Sequence, residues 1–131
     1  MYFTDFIAKE NEVWIASDKG LYRYNKNENI VKQYVHVPGN PHSLSQNFLT
    51  CLAITNDKQL LVASLKGINI YNPIKDNFER ISDQVSNTGS KLLNSNFINC
   101  ITVEGKHIWV GTESGGINKI TAKRLSLQNY Q

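Results

Sequence analysis

The sequence predicts an all-β fold built from a repeated antiparallel sheet. The stretch VWIASDKGLYRYN at 13–25 returns as LLVASLKGINIYN at 60–72 and as IWVGTESGGINKI at 108–120. Gly20 and Gly67 lie 47 residues apart, and a period of this size indicates stacked units. Short β-rich runs fill each unit, and no run has a sustained helical period. We therefore expect about three four-stranded β-propeller blades, arranged as an open arc or partial propeller.

The middle repeat illustrates the expected strands, which are 47–54, 60–64, 68–71 and 78–81. Lys66-Gly67 forms the turn between the second and third strands, and residues 68–71 alternate apolar with polar side chains. Asn72-Pro73 ends the third strand, because proline has no amide hydrogen for the sheet ladder. The fourth strand carries charge, which suits an exposed outer edge.

The outer repeats follow the same plan. Their strands are expected at 3–8, 13–17, 21–24 and 30–35, and again at 97–103, 108–112, 116–120 and 125–130. Blade 1 then covers about 1–46, blade 2 about 47–95 and blade 3 about 96–131. The longer connectors, 36–46 and 82–95, would lie on the rims of the array, where loops carry binding functions.

Composition excludes several classes of protein. The formal charge of +3 is spread along the 131 residues without a Lys/Arg cluster, so we expect no nucleic-acid partner. No apolar run reaches the roughly 18 residues of a membrane helix, so no membrane segment is expected in this chain. Residues 1–5 lack the basic and apolar regions of a signal peptide.

The sequence contains no recognisable catalytic motif. His36, His42 and His107 share no ligand spacing, and no nucleophile, phosphate-loop or metalloprotease motif occurs, so no cofactor or metal is expected. A glycan-cleaving enzyme with carboxylates from different blades is the least favoured alternative. Cys51 and Cys100 occupy matching slots 49 residues apart, which predicts two buried free thiols.

Two motifs resemble a known family. Residues 109–112, WVGT, followed by GGIN at 115–118, resemble the W-I-G-T-x-x-G-G-L-x-R-Y signature of two-component-regulator propeller repeats. Residues 40–47, NPHSLSQN, are similar to the N-P-x-S-L-S-x-N connector of the same family. The sequence departs from the signature at Leu61, which replaces the tryptophan, and at Lys119-Ile120, which replaces Arg-Tyr.

The resemblance implies a piece of a periplasmic sensor. Such repeats form the extracellular part of membrane-anchored hybrid histidine kinases of Bacteroidetes that detect polysaccharide breakdown products. By that resemblance the chain is a non-catalytic sensory or recognition module with an oligosaccharide ligand. The alternative is a stand-alone interaction or assembly module that completes a propeller by oligomerising.

Five residues are candidates for sugar or partner contact, namely Tyr22, Arg23, His42, Asn69 and Asn118. Trp14 and Trp109 alternate with apolar neighbours in their strands, so we expect them to wedge between blades. Closed propellers use about 4–8 blades, and an open arc of three leaves two blade faces bare. We therefore expect either self-association or contact with the remaining blades of a larger chain.

Overall fold

The computed structural model describes residues 1–81, 93 and 95–121. These residues form eleven strands in three antiparallel sheets, which confirms the predicted all-β fold class of propeller blades. Blade 1 contains β1 (Phe3–Lys9), β2 (Glu12–Ser17), β3 (Gly20–Asn25) and β4 (Ile30–Tyr34). Blade 2 contains β5 (Leu49–Ile54), β6 (Leu60–Ser64), β7 (Gly67–Asn72) and β8 (Asn77–Ile81). Blade 3 contains β9 (Ile98–Glu104), β10 (His107–Thr112) and β11 (Ile117–Thr121).

Each strand lies within one or two residues of its predicted position. The fourth strand expected at 125–130 lies outside the described residues. The blade limits expected near residues 46 and 95 stay predictions. Within each blade the strands pair in chain order, as expected for a sheet built from short antiparallel turns.

Side chains alternate between the two faces of each sheet. Blade 2 therefore turns one face toward blade 1 and the other toward blade 3. In β2, Trp14 and Ala16 point toward blade 2 and are buried, whereas Val13 and Ile15 point to the opposite face and are half-buried. In β6, Val62 packs toward blade 1 and Leu61 packs toward blade 3. Blade 2 is therefore apolar on both faces.

Two apolar clusters form the core, one at each contact between blades. The cluster between blades 1 and 2 contains Trp14, Ala16, Leu21, Tyr34, Leu44, Leu49, Leu52, Leu60, Val62 and Phe78. The cluster between blades 2 and 3 contains Cys51, Ala53, Leu61, Ala63, Ile68, Ile70, Ile81, Leu93, Ile98, Ile108, Val110 and Ile120. Trp14 thus wedges between blades as predicted, but Trp109 is only half-buried, on the face of blade 3 that points away from blade 2.

The turn between the second and third strands is repeated and requires glycine. Gly20 and Gly67 have φ angles of 110° and 99°, and a Cβ atom at Gly20 would lie 2.5 Å from the Tyr34 carbonyl oxygen. The Gly20 amide donates to the Asn47 carbonyl oxygen at 2.9 Å, and the Gly67 amide donates to that of Asn96 at 2.6 Å. These bonds tie each blade to the connector that leads into the next one.

The two cysteines are free thiols in different surroundings. Cys51 is buried between blades 2 and 3, and burial raises the pKa of its thiol to about 11. Cys100 is exposed, so the prediction of a second buried thiol is wrong. The reason is that Cys100 lies on the outward face of β9, where no described sheet follows blade 3.

Candidate functional site: a polar cleft between blades 1 and 2

A cleft of about 310 Å³ lies on the blade 1 side of the contact with blade 2. Its lining residues are Glu12, Arg23, Asn25, Glu28, Ile30 and Lys32. Register explains the grouping, because Glu12 pairs with Asn25 and Arg23 pairs with Lys32 across neighbouring strands. Paired positions share a face, so these side chains project beside the apolar cluster that contains Trp14. We call this site the blade 1–2 cleft.

Arg23 is the central residue of the cleft. Its guanidinium forms an ion pair with Glu12 and lies 5.3 Å from the centre of the Trp14 ring, within cation–π range. Its Nη1 donates to the Tyr71 hydroxyl at 3.2 Å and lies 3.8 Å from the Asp76 carboxylate. Arg23 therefore joins strand β3 of blade 1 to two residues of blade 2.

Asp76 completes the network from the blade 2 side. The hydroxyls of Tyr34 and Tyr71 each donate to its Oδ1 at 2.6 Å, and Lys32 forms an ion pair with it. Asp76 sits in the turn between β7 and β8 with a φ angle of 54°, a left-handed conformation that aspartate tolerates better than most residues. That turn conformation brings the carboxylate to the contact between the blades.

These contacts fix the charges of the cleft at neutral pH. Burial alone would raise the pKa of Asp76, but hydrogen bonds from Lys32, Tyr34 and Tyr71 outweigh it and lower that pKa to about 2. Burial and the hydrogen bond to Asp76 raise the pKa of Tyr71. Burial opposes the charge on Arg23, yet hydrogen bonds to Tyr34 and Glu12 keep its pKa raised. The network thus holds charged groups and hydroxyls at the contact, and the shifted pKa values of Arg23, Tyr71 and Asp76 lie away from neutral pH.

Of the five residues predicted from the sequence, Arg23 lies in the blade 1–2 cleft. Tyr22, the residue before it, points to the opposite face of blade 1, where its hydroxyl accepts a hydrogen bond from Gln33 at 3.1 Å. His42 lies in the connector before β5 and is exposed, with its Nδ1 3.4 Å from the Glu79 carboxylate. The ligand contacts predicted for Tyr22 and His42 stay predictions.

The two asparagines occupy equivalent buried positions in blades 2 and 3. Asn69 is fully buried, its Oδ1 accepts from the Ser45 amide at 2.9 Å, and its Nδ2 donates to the Val62 carbonyl oxygen at 3.1 Å. These bonds fasten the connector to blade 2. Asn118 is also buried, on strand β11. The structure does not bring the five predicted residues together, and ligand contact at Asn69 and Asn118 stays a prediction.

Sequence reasoning missed Glu12, Lys32, Tyr34, Tyr71 and Asp76. Asp76 follows Asn72-Pro73 and has the sequence appearance of an ordinary turn residue. A signal does exist in the repeat, because a shift of 47 residues matches Arg23 with Ile70 and Tyr34 with Ile81. At both positions the contact between blades 1 and 2 has a polar side chain where the contact between blades 2 and 3 has an isoleucine. The repeat itself therefore marks where the two contacts differ.

Metal-ligand clusters and membrane-spanning helices are both absent from the described residues. Within residues 1–81, 93 and 95–121, no three His, Cys, Asp or Glu side chains converge as metal ligands. The described part of the chain also contains no helix with the length and hydropathy needed to cross a bilayer.

Solved structures with a similar fold come from B. thetaiotaomicron. The extracellular domain of the putative hybrid two component system BT3049 superposes with a TM-score of 0.78 at 20% identity, over 92% of this chain and 17% of that one. The extracellular domain of the putative hybrid two component system BT4673 gives a TM-score of 0.76 at 23% identity, over 95% and 17%. The resemblance to such sensor domains is confirmed at the level of the fold.

The likeness to these structures is one of fold and covers a part of their length. No known protein-family profile matches the sequence, and no curated protein sequence matches it. The chain spans about a sixth of the length of the structures that it resembles, since it covers 17% of each.

Proposed function

We propose that the chain is a non-catalytic recognition module in the periplasmic part of a membrane-anchored hybrid two-component receptor. The observation that carries the proposal is the superposition of 92% of this chain on the extracellular domain of a putative hybrid two component system at a TM-score of 0.78. A repeat array of this kind offers a rigid surface for a ligand and leaves the signalling steps to other parts of the receptor.

We further propose that the ligand is a glycan-derived oligosaccharide and that it binds in the blade 1–2 cleft. The cleft volume of about 310 Å³ falls at the small end of the range of ligand sites, which suits a few sugar hydroxyl groups. Arg23, Lys32 and Glu12 offer charged donors and acceptors, and hydrogen bonds to charged groups are stronger than those between neutral groups. The Ile30 side chain adds an apolar wall for the carbon face of a sugar ring.

Calorimetric titration of the chain with neutral and uronic-acid oligosaccharides tests this proposal. We expect at least one oligosaccharide to bind and the variant Lys32→Gln to weaken that binding about three- to tenfold, because the ammonium group lines the cleft. The matched control is Lys75→Gln, which removes an exposed lysine from the turn after β7, away from the cleft lining.

Two outcomes would contradict the proposal. One is the absence of binding by every oligosaccharide of the panel. The other is an equal loss of affinity in Lys32→Gln and Lys75→Gln, which would place the ligand elsewhere. The receptor context has a separate test, since the genomic DNA on either side of this reading frame should encode further W-x-G-T repeats, a membrane helix and a kinase.

A further inference from the structure

The charged groups of the blade 1–2 cleft are paired with one another, with one exception. The Arg23 guanidinium forms an ion pair with Glu12, and the Lys32 ammonium forms one with Asp76. The Asp76 carboxylate also lies 3.8 Å from Arg23 Nη1, so each cation of the cleft has a carboxylate partner. A ligand with a carboxylate of its own would have to compete with Glu12 or Asp76 for these two cations.

The exception is Glu28. It lines the cleft and is exposed, and its carboxylate forms no ion pair or hydrogen bond with the part of the chain that the structure describes. Its backbone is held in place, because Asn25 Oδ1 accepts hydrogen bonds from the Asn27 and Glu28 amides at 3.0 Å each. The turn between β3 and β4 therefore fixes an unpaired carboxylate at the cleft.

The cleft and its partners carry a net negative charge at neutral pH. Three carboxylates, those of Glu12, Glu28 and Asp76, face the two cations of Arg23 and Lys32. The hydrogen bonds that lower the pKa of Asp76 to about 2 keep that carboxylate ionised. Opposite charges in a ligand and its site favour binding and like charges oppose it, so this cleft favours a cationic ligand over an anionic one.

The repeat shows that the charge of this turn is specific to blade 1. A shift of 47 residues matches Glu28 with Lys75 and Asn25 with Asn72. Asn72 Oδ1 accepts hydrogen bonds from the Ile74 and Lys75 amides at 3.0 and 3.2 Å, which repeats the turn of blade 1. The same turn carries a carboxylate in one blade and an ammonium group in the other, so its backbone does not require either charge.

We propose, on the basis of the function proposed above, that the oligosaccharide bound in the blade 1–2 cleft carries a positively charged amino group and that the Glu28 carboxylate binds this group. Hydrogen bonds between an ammonium group and a carboxylate are roughly twice as strong as those between neutral groups. Lys32 donates to Asp76, and an ammonium group has three hydrogens, so donors remain for the hydroxyl oxygens of the sugar. Glu28 is then the residue that selects an amino sugar over a neutral or acidic one.

Two oligosaccharides that differ only at the amino group test this proposal. Calorimetric titration at about pH 5.5, where carboxylates are ionised, compares a glucosamine oligosaccharide with its N-acetylated form. We expect the free amine to bind about two- to fivefold more tightly, as suits an ion pair at an exposed carboxylate. Glu28→Gln should remove this difference and leave the affinity for the N-acetylated form unchanged.

Two further variants separate a direct contact from a general effect of charge. Glu10→Gln removes an exposed carboxylate from the turn before β2, outside the cleft lining, and should keep the difference between the two oligosaccharides. Glu28→Lys gives blade 1 the side chain of the equivalent turn of blade 2 and should invert the preference, so that a uronic-acid oligosaccharide binds more tightly than the glucosamine one. Added salt should reduce the preference of the native chain, since ions screen exposed charges.

Two results would overturn the proposal and leave the proposed function intact. One is equal affinity of the native chain for the free-amine and N-acetylated forms, with both weakened by Lys32→Gln. The other is a preference for the free amine that Glu10→Gln and Glu28→Gln reduce equally, which would arise from the net charge of the chain. A failure of every oligosaccharide to bind, neutral and acidic ones included, would contradict the proposed function itself and the amino-sugar site with it.

Discussion

At the contact between blades 1 and 2, the third strand of the earlier blade presents the guanidinium of Arg23 and its fourth strand presents the hydroxyl of Tyr34. At the contact between blades 2 and 3, the same two positions hold Ile70 and Ile81, both buried in an aliphatic cluster. The inner parts of the two contacts are alike, since both bury apolar side chains from the second strand of each blade. Only the outer part differs, where one contact is charged and the other is apolar.

The difference is one of side-chain chemistry at matched positions of the repeat. The strand register is shared, so a single position can hold an isoleucine that packs or an arginine that forms ion pairs without a change of fold. The aliphatic contact buries its side chains, whereas the charged contact leaves Arg23 and Lys32 on the wall of an open cleft. A repeat array can therefore keep the same strand pairing at each blade contact while one contact carries charged side chains and the next is aliphatic.

The largest expected effect is that of removing the tryptophan from the first contact. Trp14→Ala should lower the free energy of unfolding by about 3–5 kcal/mol, because a large, fully buried side chain leaves a cavity. Trp109→Ala is the matched control at the equivalent position of blade 3, where the side chain is half-buried, and should cost less than about 1.5 kcal/mol. Urea denaturation of the dilute proteins measures both, and equal losses would show that Trp14 is no more important than its outward-facing equivalent.

A smaller effect is expected when the first contact is given the side chain of the second. Arg23→Ile should cost about 1–3 kcal/mol, since Glu12 and Asp76 lose a charged partner while remaining partly buried. Arg23→Lys keeps the charge but loses the forked hydrogen bonds, so its loss should be smaller. Thermal unfolding compares the two variants, and a stabilised Arg23→Ile protein would mean that the charged contact is less stable than an aliphatic one at the same position.

The contrast between the two contacts also explains what the sequence could predict. The strands follow from local patterns, and β6 was predicted at 60–64, where the structure has it. The burial of Trp14 follows from its apolar neighbours in β2. The cleft does not follow from local patterns, because Arg23 and Tyr71 are 48 residues apart and meet only when two blades pack together. Asp76 is recognisable from sequence only as a turn residue, since its partners lie on strands β3 and β4 of blade 1 and on β7 of its own blade.

The smallest expected effect is a pH dependence confined to the charged contact. The folded protein holds the pKa of Asp76 at about 2, below its ordinary value of 3.8, so the folded state binds this proton less readily than the unfolded state does. The resulting stability is present above about pH 4 and is lost as the pH falls toward 2. With about a third of the side chain exposed to screening solvent, the contribution is roughly 1–2 kcal/mol.

Urea denaturation between pH 5 and pH 2 measures this contribution. The variant Asp76→Asn should lack it, so the stability difference from the native protein should shrink as the pH falls. Asp57→Asn removes a carboxylate from an exposed turn of blade 2 and should keep the acid dependence that Asp76 confers, since the Asp57 carboxylate accepts a hydrogen bond from Thr55 of its own blade. An Asp76→Asn protein that loses stability in acid as steeply as the native chain would place the acid-sensitive carboxylate outside the contact of blades 1 and 2, and the two contacts would then differ in composition but not in their response to pH.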